Sequence, residues 1–392
     1  MNSRERFLTV MNFGKPDRTL FWEFGYWKET LVRWYSEGLP RVHGKPELRE
    51  TGEGIRAEAA PHDEFSLFRV RDIDVHKYFG FDDGVVGIPL NMGPMPYFEK
   101  TVLEETETYR LVRDEYGVTK KIHISSASIP ASIDWPVKNA GDFETLKRER
   151  LTPDFAGRVP KNWDSLVGRY RERSFPLAVG GYPYGFYGIC RLLMGEEKLL
   201  VTFCDDPDLV RSIMRHFTDL WLALWEELFS YILPDAVYFW EDMAYRNGAI
   251  ISPSMFRDFM TPCYKRLTDF LKARGVSIIL VDSDGRVDEL VPLFLEAGLT
   301  GLYPFEVQAG NDIRSFRKEY PRLQILGGLD KIAVAHGREA TERELSDKMP
   351  FMLKQGGFIP FLDHYVPPDI SFEDFSYYRK RVKEYIETTL AH

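Results

Sequence analysis

The stretch VSIILVDSDGRVDELVPLFLEAGLTGLYPFE, residues 276–306, decides how this chain is read. An apolar, β-branched run ends abruptly in Asp282-Ser283-Asp284-Gly285. A helical pattern follows and closes on Gly298, and a second apolar run, LTGLYPFE, begins at once. Strand, helix and strand joined by short links predict parallel strands with a crossover helix. The same unit recurs on either side. FPLAVGG (175–181), DAVYFW (235–240), LQILGGLD (323–330) and GGFIPFLDH (356–364) read as further strands. The longest helical pattern between them is 206–233. Asp206 suits its N-cap and Pro207 its first turn, while Leu209, Ile213, Phe217, Leu220, Leu224 and Leu228 step by three or four. A second, 252–275, opens at Ser252-Pro253, closes at Gly275 and carries Pro262, which should kink or break it.

Six such strands, with TLFWEF (19–24) and one more, predict an α/β fold closed as an eight-strand (β/α)8 TIM barrel. An open doubly wound sheet is the second choice. It would carry a glycine-rich phosphate loop after a strand, and GGLD lacks the spacing. Residues 92–125 alternate differently, with a turn near Glu115-Tyr116-Gly117, and predict an antiparallel excursion. Residues 40–65 are polar and predict an irregular surface connection. No linker demands a second unit, so a single domain over 1–392 is expected.

Composition narrows the function. The 392 residues are 44% hydrophobic and 28% charged, the balance of a globular protein. No apolar run is long enough for a membrane span, and the N-terminus lacks a signal-peptide core. Cys190, Cys204 and Cys263 lie far apart, which argues against a disulfide framework or a cysteine-rich zinc site and fits a reducing cytoplasm. A net charge of −9 disfavours nucleic acid and anionic membranes as partners.

Barrel sites sit at the C-terminal ends of the strands. There the chain places Glu241 and Asp242, then Asp282 and Asp284, then Glu306, Asp330, and Asp363 with His364. Any one of these could serve as a helix cap or loop fastener, Asp284 and Asp330 above all. Five successive strand ends carrying acids or histidine point instead to a functional cluster. Crowded carboxylates need raised pKa values, nearby cations or a metal. In a regular strand, positions i and i+2 face the same way, so Asp282 and Asp284 are expected to make a two-carboxylate claw. His364 and Glu306 would complete an oxygen- and imidazole-rich site suited to Zn²⁺, or to Mn²⁺ or Mg²⁺, with one position open for substrate.

These segments resemble the uroporphyrinogen decarboxylase superfamily. The resemblance rests on SRERFLTVMNFGKPDR, EDMAYRNGAIISPSMFRDFMTPCYKRL, VDSDGRVDELVPLFLEAGLTGLYPFEVQAGNDI, GGLDK and GGFIPFLDHYVPPDISFEDFSYYRK, in that order. It implies a distorted (β/α)8 barrel with a deep cleft at the strand C-termini, and two chemistries. The decarboxylase branch grips substrate carboxylates with an R-x-x-x-R arginine pair. The matching stretch here, TLFWEFGYWKETL, offers Glu23, Tyr26 and Trp27 and no arginine, although Asp82 or Asp83 falls near the family's catalytic aspartate. The corrinoid methyltransferase branch carries zinc on H-x-C-G and a later cysteine. Those positions read Asp282-Ser283-Asp284-Gly285 and His364, so thiolates give way to oxygen and nitrogen.

A harder Lewis acid suits an ether or phenolic oxygen as leaving group. The resemblance therefore implies a zinc-dependent methyltransferase of the O-demethylase kind, moving methyl from a methyl ether, with a methoxylated aromatic as the expected donor, to the Co(I) corrinoid of a separate partner protein. A cofactor-free decarboxylase, with Asp82 or Asp83 stabilising a developing cation and Tyr187 helping to hold substrate, is the alternative. The metal ligands expected are Asp282, Asp284, His364 and Glu306, with Glu241 or Asp242 orienting substrate or protonating the leaving oxygen. Trp22, Glu23, Tyr26, Trp27, Tyr182, Tyr184 and Tyr187 are the expected substrate contacts, unless these aromatics merely pack the barrel mouth. The expected partners are a corrinoid protein and a small-molecule methyl donor; a homodimer is left open.

Overall fold

A computed structural model describes residues 1–41, 66–67, 73–124 and 130–389. The connection read at 40–65 lies, from residue 42 onward, outside the described residues. Seven strands run parallel in one curved sheet. They are β1 (Val85–Gly87), β2 (Leu177–Gly180), β3 (Ala236–Trp240), β4 (Ile279–Asp282), β5 (Gly301–Tyr303), β6 (Gln324–Leu326) and β7 (Phe358–Ile359), hydrogen-bonded in that order. The register is regular, with Leu280 opposite Tyr238 on one side and Gly301 on the other. Ser66–Leu67 adds a short antiparallel strand on the free side of β1.

Alternation along the strands sorts two cores. Val85, Ala178, Ala236, Tyr238, Ile278, Leu280, Leu326 and Ile359 pack in one cluster with Phe7, Val10 and Met11 of the N-terminal helix, Ser3–Met11. Their sequence neighbours Val86, Val179, Val237, Phe239, Ile279, Val281 and Ile325 belong to a larger cluster shared with the crossover helices. This period of two is what a sheet buried on both faces requires. The N-terminal helix is tied to the chain just before β2 and β7, through Arg4 N to Ser174 O at 2.8 Å and Gly357 N to Val10 O at 3.0 Å. It thus covers the N-terminal ends of the strands and leaves the opposite ends as the open mouth.

The closing position differs from expectation. Residues 19–26 pass between β1 and β7 without forming a ladder strand. Phe21 pairs with Asp82 on one side, where Asp82 N donates to Phe21 O at 3.1 Å. On the other side Thr19 Oγ1 donates to Phe358 O at 2.7 Å, and Leu362 N donates to the Glu23 carboxylate at 3.0 Å. Tyr26 and Val366 form an isolated backbone bridge. Among the described residues the continuous ladder therefore has seven parallel strands, with TLFWEF an extended seam beside it.

The predicted helices are present. Pro207–Tyr231 is capped by Asp206, whose side chain accepts from Leu209 N, and buries Leu209, Ile213, Phe217, Leu220, Leu224 and Leu228. Pro262 acts as a register change: a π-turn over Phe256–Met260 precedes Thr261–Ala273, absorbing the lost N–H. The excursion is a four-stranded antiparallel sheet, Thr101–Glu105, Tyr109–Arg113, Thr119–His123 and Ala131–Asp134. Its second turn forms where expected, with Asp114 accepting from Gly117 and Val118. Among the described residues no helix is long and apolar enough to cross a membrane.

Candidate metal centre at the mouth of the sheet

The strand ends bring three predicted residues together. Asp284, Glu306 and His364 each offer a ligand atom, and these atoms lie within 4.8 Å of one another. Asp284 Oδ2 is 3.4 Å from His364 Nε2. All three side chains are partly exposed toward the mouth.

The loops that carry them are fastened to each other. Glu306 Oε2 accepts from Gly285 N at 3.0 Å. Gly285 has φ +76°, and a Cβ there would lie 2.3 Å from Ala244 O, so only glycine lets this turn close. Buried Asn311 donates to Gly285 O and to Glu306 O, each at 2.8 Å, and accepts from Val287 N at 3.1 Å. Asp363, fully buried, accepts from Val307 N at 2.8 Å and Lys331 N at 3.1 Å. That holds the His364 loop against the Glu306 turn. Lys331 Nζ reaches Asp363 at 3.3 Å and Glu306 at 3.8 Å. Asn311 and Lys331 were not singled out from sequence. The AGND and GLDK contexts show turns, but not that one amide would span two of them.

Electrostatics follow from this crowding. Burial pulls the His364 imidazole down, but the hydrogen bond and charge of Asp284, with Glu306 beyond, outweigh it and leave its pKa raised. Burial, then Asp284 and Asp242, hold the Asp282 carboxyl well above the ordinary range. Asp242 is likewise raised by burial and by Asp284, against the pull of Arg191. Arg191 donates to Asp242 O and to Asp242 Oδ2, both at 2.9 Å, which fixes a residue with φ +44°. Phe24 and Tyr365 flank the His364 ring at 5.8 and 5.1 Å between centroids, and half-buried Trp27 meets Tyr365 at 5.7 Å. Phe24 and Tyr365 were also missed, because an aromatic's neighbours cannot be counted from sequence.

Several sequence readings are corrected. Asp282 lies outside the three-residue group, because β4 ends at Asp282 and the i, i+2 rule stops with the strand. Glu241, expected at substrate, is sealed from solvent and caps the helix Phe186–Met194. It accepts from Phe186 N at 2.7 Å, from Gly188 N at 2.9 Å and from the Tyr264 hydroxyl. Asp82 is bound by Arg6 and Arg18 and accepts from Phe21 N at 2.8 Å. Glu23 is a buried partner of Arg379 at 3.0 Å. Trp22 donates to Asp83 O within the core, Tyr26 packs against Trp34 and Phe375, and the Tyr184 hydroxyl accepts from Met92 N. The Tyr187 hydroxyl donates to Glu196 at 3.1 Å. These four aromatics are buried, so packing explains them. Asp330 caps the short helix after β6, accepting from Ile332 N.

Comparison with known proteins places this architecture. A family model described as uroporphyrinogen decarboxylase (URO-D) matches residues 87–385. Among solved structures, a methyltransferase from Methanosarcina mazei superimposes with a TM-score of 0.57 at 13% identity. That alignment covers 98% of this chain and 99% of the other, a likeness of fold. No curated protein matches the chain.

Proposed function

This chain belongs to the uroporphyrinogen decarboxylase family, and from that premise we propose that it is a metal-dependent methyltransferase acting on a methyl ether. One observation carries the reading: two carboxylates and an imidazole from three different strand ends converge at the mouth, with the loops beneath them locked together. The donor set fits Zn²⁺, whose catalytic sites use three protein ligands and keep one position open. Asp284, Glu306 and His364 would hold it. When bound, such an ion supplies Lewis acidity to a departing oxygen.

The chain's own residues do the rest. Asn311 and Asp363 position the ligand loops. Lys331 offsets part of the carboxylate charge, which limits repulsion before a cation arrives. Asp242 is steadied by Arg191, and its carboxyl is raised by burial and by the charge of Asp284, so it can hold a proton for the leaving oxygen. The methyl acceptor in this reading is the Co(I) corrinoid of a separate protein. The Methanosarcina mazei neighbour is a methyltransferase, which is in keeping with this reading. Decarboxylation is not favoured, since Asp82 is spent on Arg6 and Arg18 and Asp83 is exposed.

Elemental analysis of dialysed protein tests the proposal, with methylation of added Co(I) corrinoid followed by absorbance. Near-stoichiometric metal that is lost together with methyl transfer in Asp284→Ala is expected. Full activity in metal-free protein would end the metal-dependent reading.

A further inference from the structure

The end of β3 continues as a short strap, residues 242–245, whose backbone lies along the turn that carries Asp284. Asp242 N donates to Asp282 O at 3.2 Å, and Met243 N donates to Ser283 Oγ at 3.2 Å. In return, Arg286 N donates to Tyr245 O at 3.0 Å. Between these bonds the two backbones nearly touch: a Cβ on Gly285 would meet Ala244 O at 2.3 Å and Tyr245 C at 3.0 Å. Each of the four strap residues therefore rests on the turn. Past Tyr245 the chain reverses, and Ala244–Tyr245 pairs with Gly248–Ala249 as a small hairpin.

Both ends of the strap are held by one post. At the near end Arg191 donates to Asp242 O and Oδ2. At the far end the Tyr245 hydroxyl donates to Glu196 Oε2 at 2.6 Å. Glu196 opens the helix Glu196–Asp205, accepts from the Tyr187 hydroxyl at 3.1 Å and stands 3.6 Å from Arg191. Tyr187 is buried in the helix that Glu241 caps, so the post belongs to the packed body of the protein.

Exposure makes the Tyr245 bond informative. The side chain is 59% exposed, and water competes for both partners of such a bond, so it adds little to global stability. Its effect is local. Without it the strap is gripped at Asp242 alone, and the firm bonds left to the Asp284 turn are those of Gly285 to Glu306 and Asn311. Groups that hold a ligand in place without touching the metal tune its affinity.

We propose that Tyr245 is a positioning residue for Asp284: its hydroxyl, fastened to Glu196, holds the strap that sets the ligand turn. The role in metal binding rests on the metal-dependent reading above, but the hold on the turn is measured without metal. Tyr245→Phe removes the hydroxyl and no charge. Deuterium exchange of metal-free protein, read in peptides spanning 283–287, reports the amides of the turn. Zinc affinity is read by competition with a chromophoric chelator. In Tyr245→Phe, exchange over 283–287 should quicken, while the melting temperature and the exchange of Pro207–Tyr231 should match wild type. Zinc should bind about tenfold more weakly. Glu196→Gln keeps an acceptor for the hydroxyl and drops the charge, so its zinc affinity should stay near that of wild type. In a Glu196→Ala background, adding Tyr245→Phe should cost nothing more, because the post is already gone.

Unchanged exchange over 283–287 in folded Tyr245→Phe would overturn the strap, and so would quicker exchange with wild-type zinc affinity. A zinc loss in Glu196→Gln as large as in Glu196→Ala would assign the effect to charge and overturn it too. Should the wild-type protein take no zinc, the metal-dependent reading falls, while exchange still decides whether Tyr245 sets the Asp284 turn.

Discussion

Glu241 and Asp284 look alike in the sequence, each an acid just past a buried strand, yet they end in opposite circumstances. Glu241 is fully buried, with two backbone amides and a tyrosine hydroxyl aimed at it. Asp284 is half-exposed and meets an imidazole and further acids. The β2–β3 side of the mouth spends its carboxylates on holding helices, while the β4–β7 side leaves Asp284, Glu306 and His364 converging on one point. Saturation by the chain's own donors marks a structural acid. Convergence without it marks a candidate ligand.

The sharpest way to test that distinction is to break saturated groups first. Glu23 is the extreme case, paired with Arg379 where both side chains are out of solvent. Glu23→Ala should destabilise the fold by ~3–5 kcal/mol in denaturant unfolding, because Arg379 is left buried without its partner. Glu241→Gln should cost about 1–3 kcal/mol, since an amide cannot accept from all three of its donors.

The same residue gives a pH signature. Burial pushes the Glu241 carboxyl up to about 7. The native state then keeps a proton that the unfolded state releases near the ordinary glutamate range. Stability from this group falls as pH rises from that range through about 7, and the slope should shrink in Glu241→Gln. Chemical denaturation at a series of pH values measures it. The smallest expected change is at the unsaturated acid. Asp284→Asn should shift metal-free stability by no more than about 0.5 kcal/mol while abolishing metal uptake. A loss as large as that of Glu23→Ala would dissolve the comparison.

Much of the fold could be read from the sequence, because it is written in local pattern. Runs such as VSIILV and DAVYFW, apolar, β-branched or aromatic and each closed by an acid, specify β4 and β3 without tertiary information. The seam was misread because TLFWEF has strand composition but is bonded through Thr19, Glu23 and Asp82 side chains. At the site, the positions of Asp284, Glu306 and His364 follow from strand-end topology. Which acids are saturated does not, since the donors to Glu241 and the arginines on Asp82 come from distant segments. Burial of Trp22, Tyr26, Tyr184 and Tyr187 was hidden for the same reason: composition counts rings and topology decides which of them see solvent.

The seam at residues 19–26 has one more consequence. The Phe21 amide rests on the Asp82 carboxylate and the Trp27 amide, just past the seam, on Val366 O, whereas the amides of β4 are pinned between two full neighbours. In deuterium exchange, the amides of Phe21 and Trp27 should therefore label well before that of Leu280, and the first partial opening of the molecule should peel the N-terminal segment away as one unit.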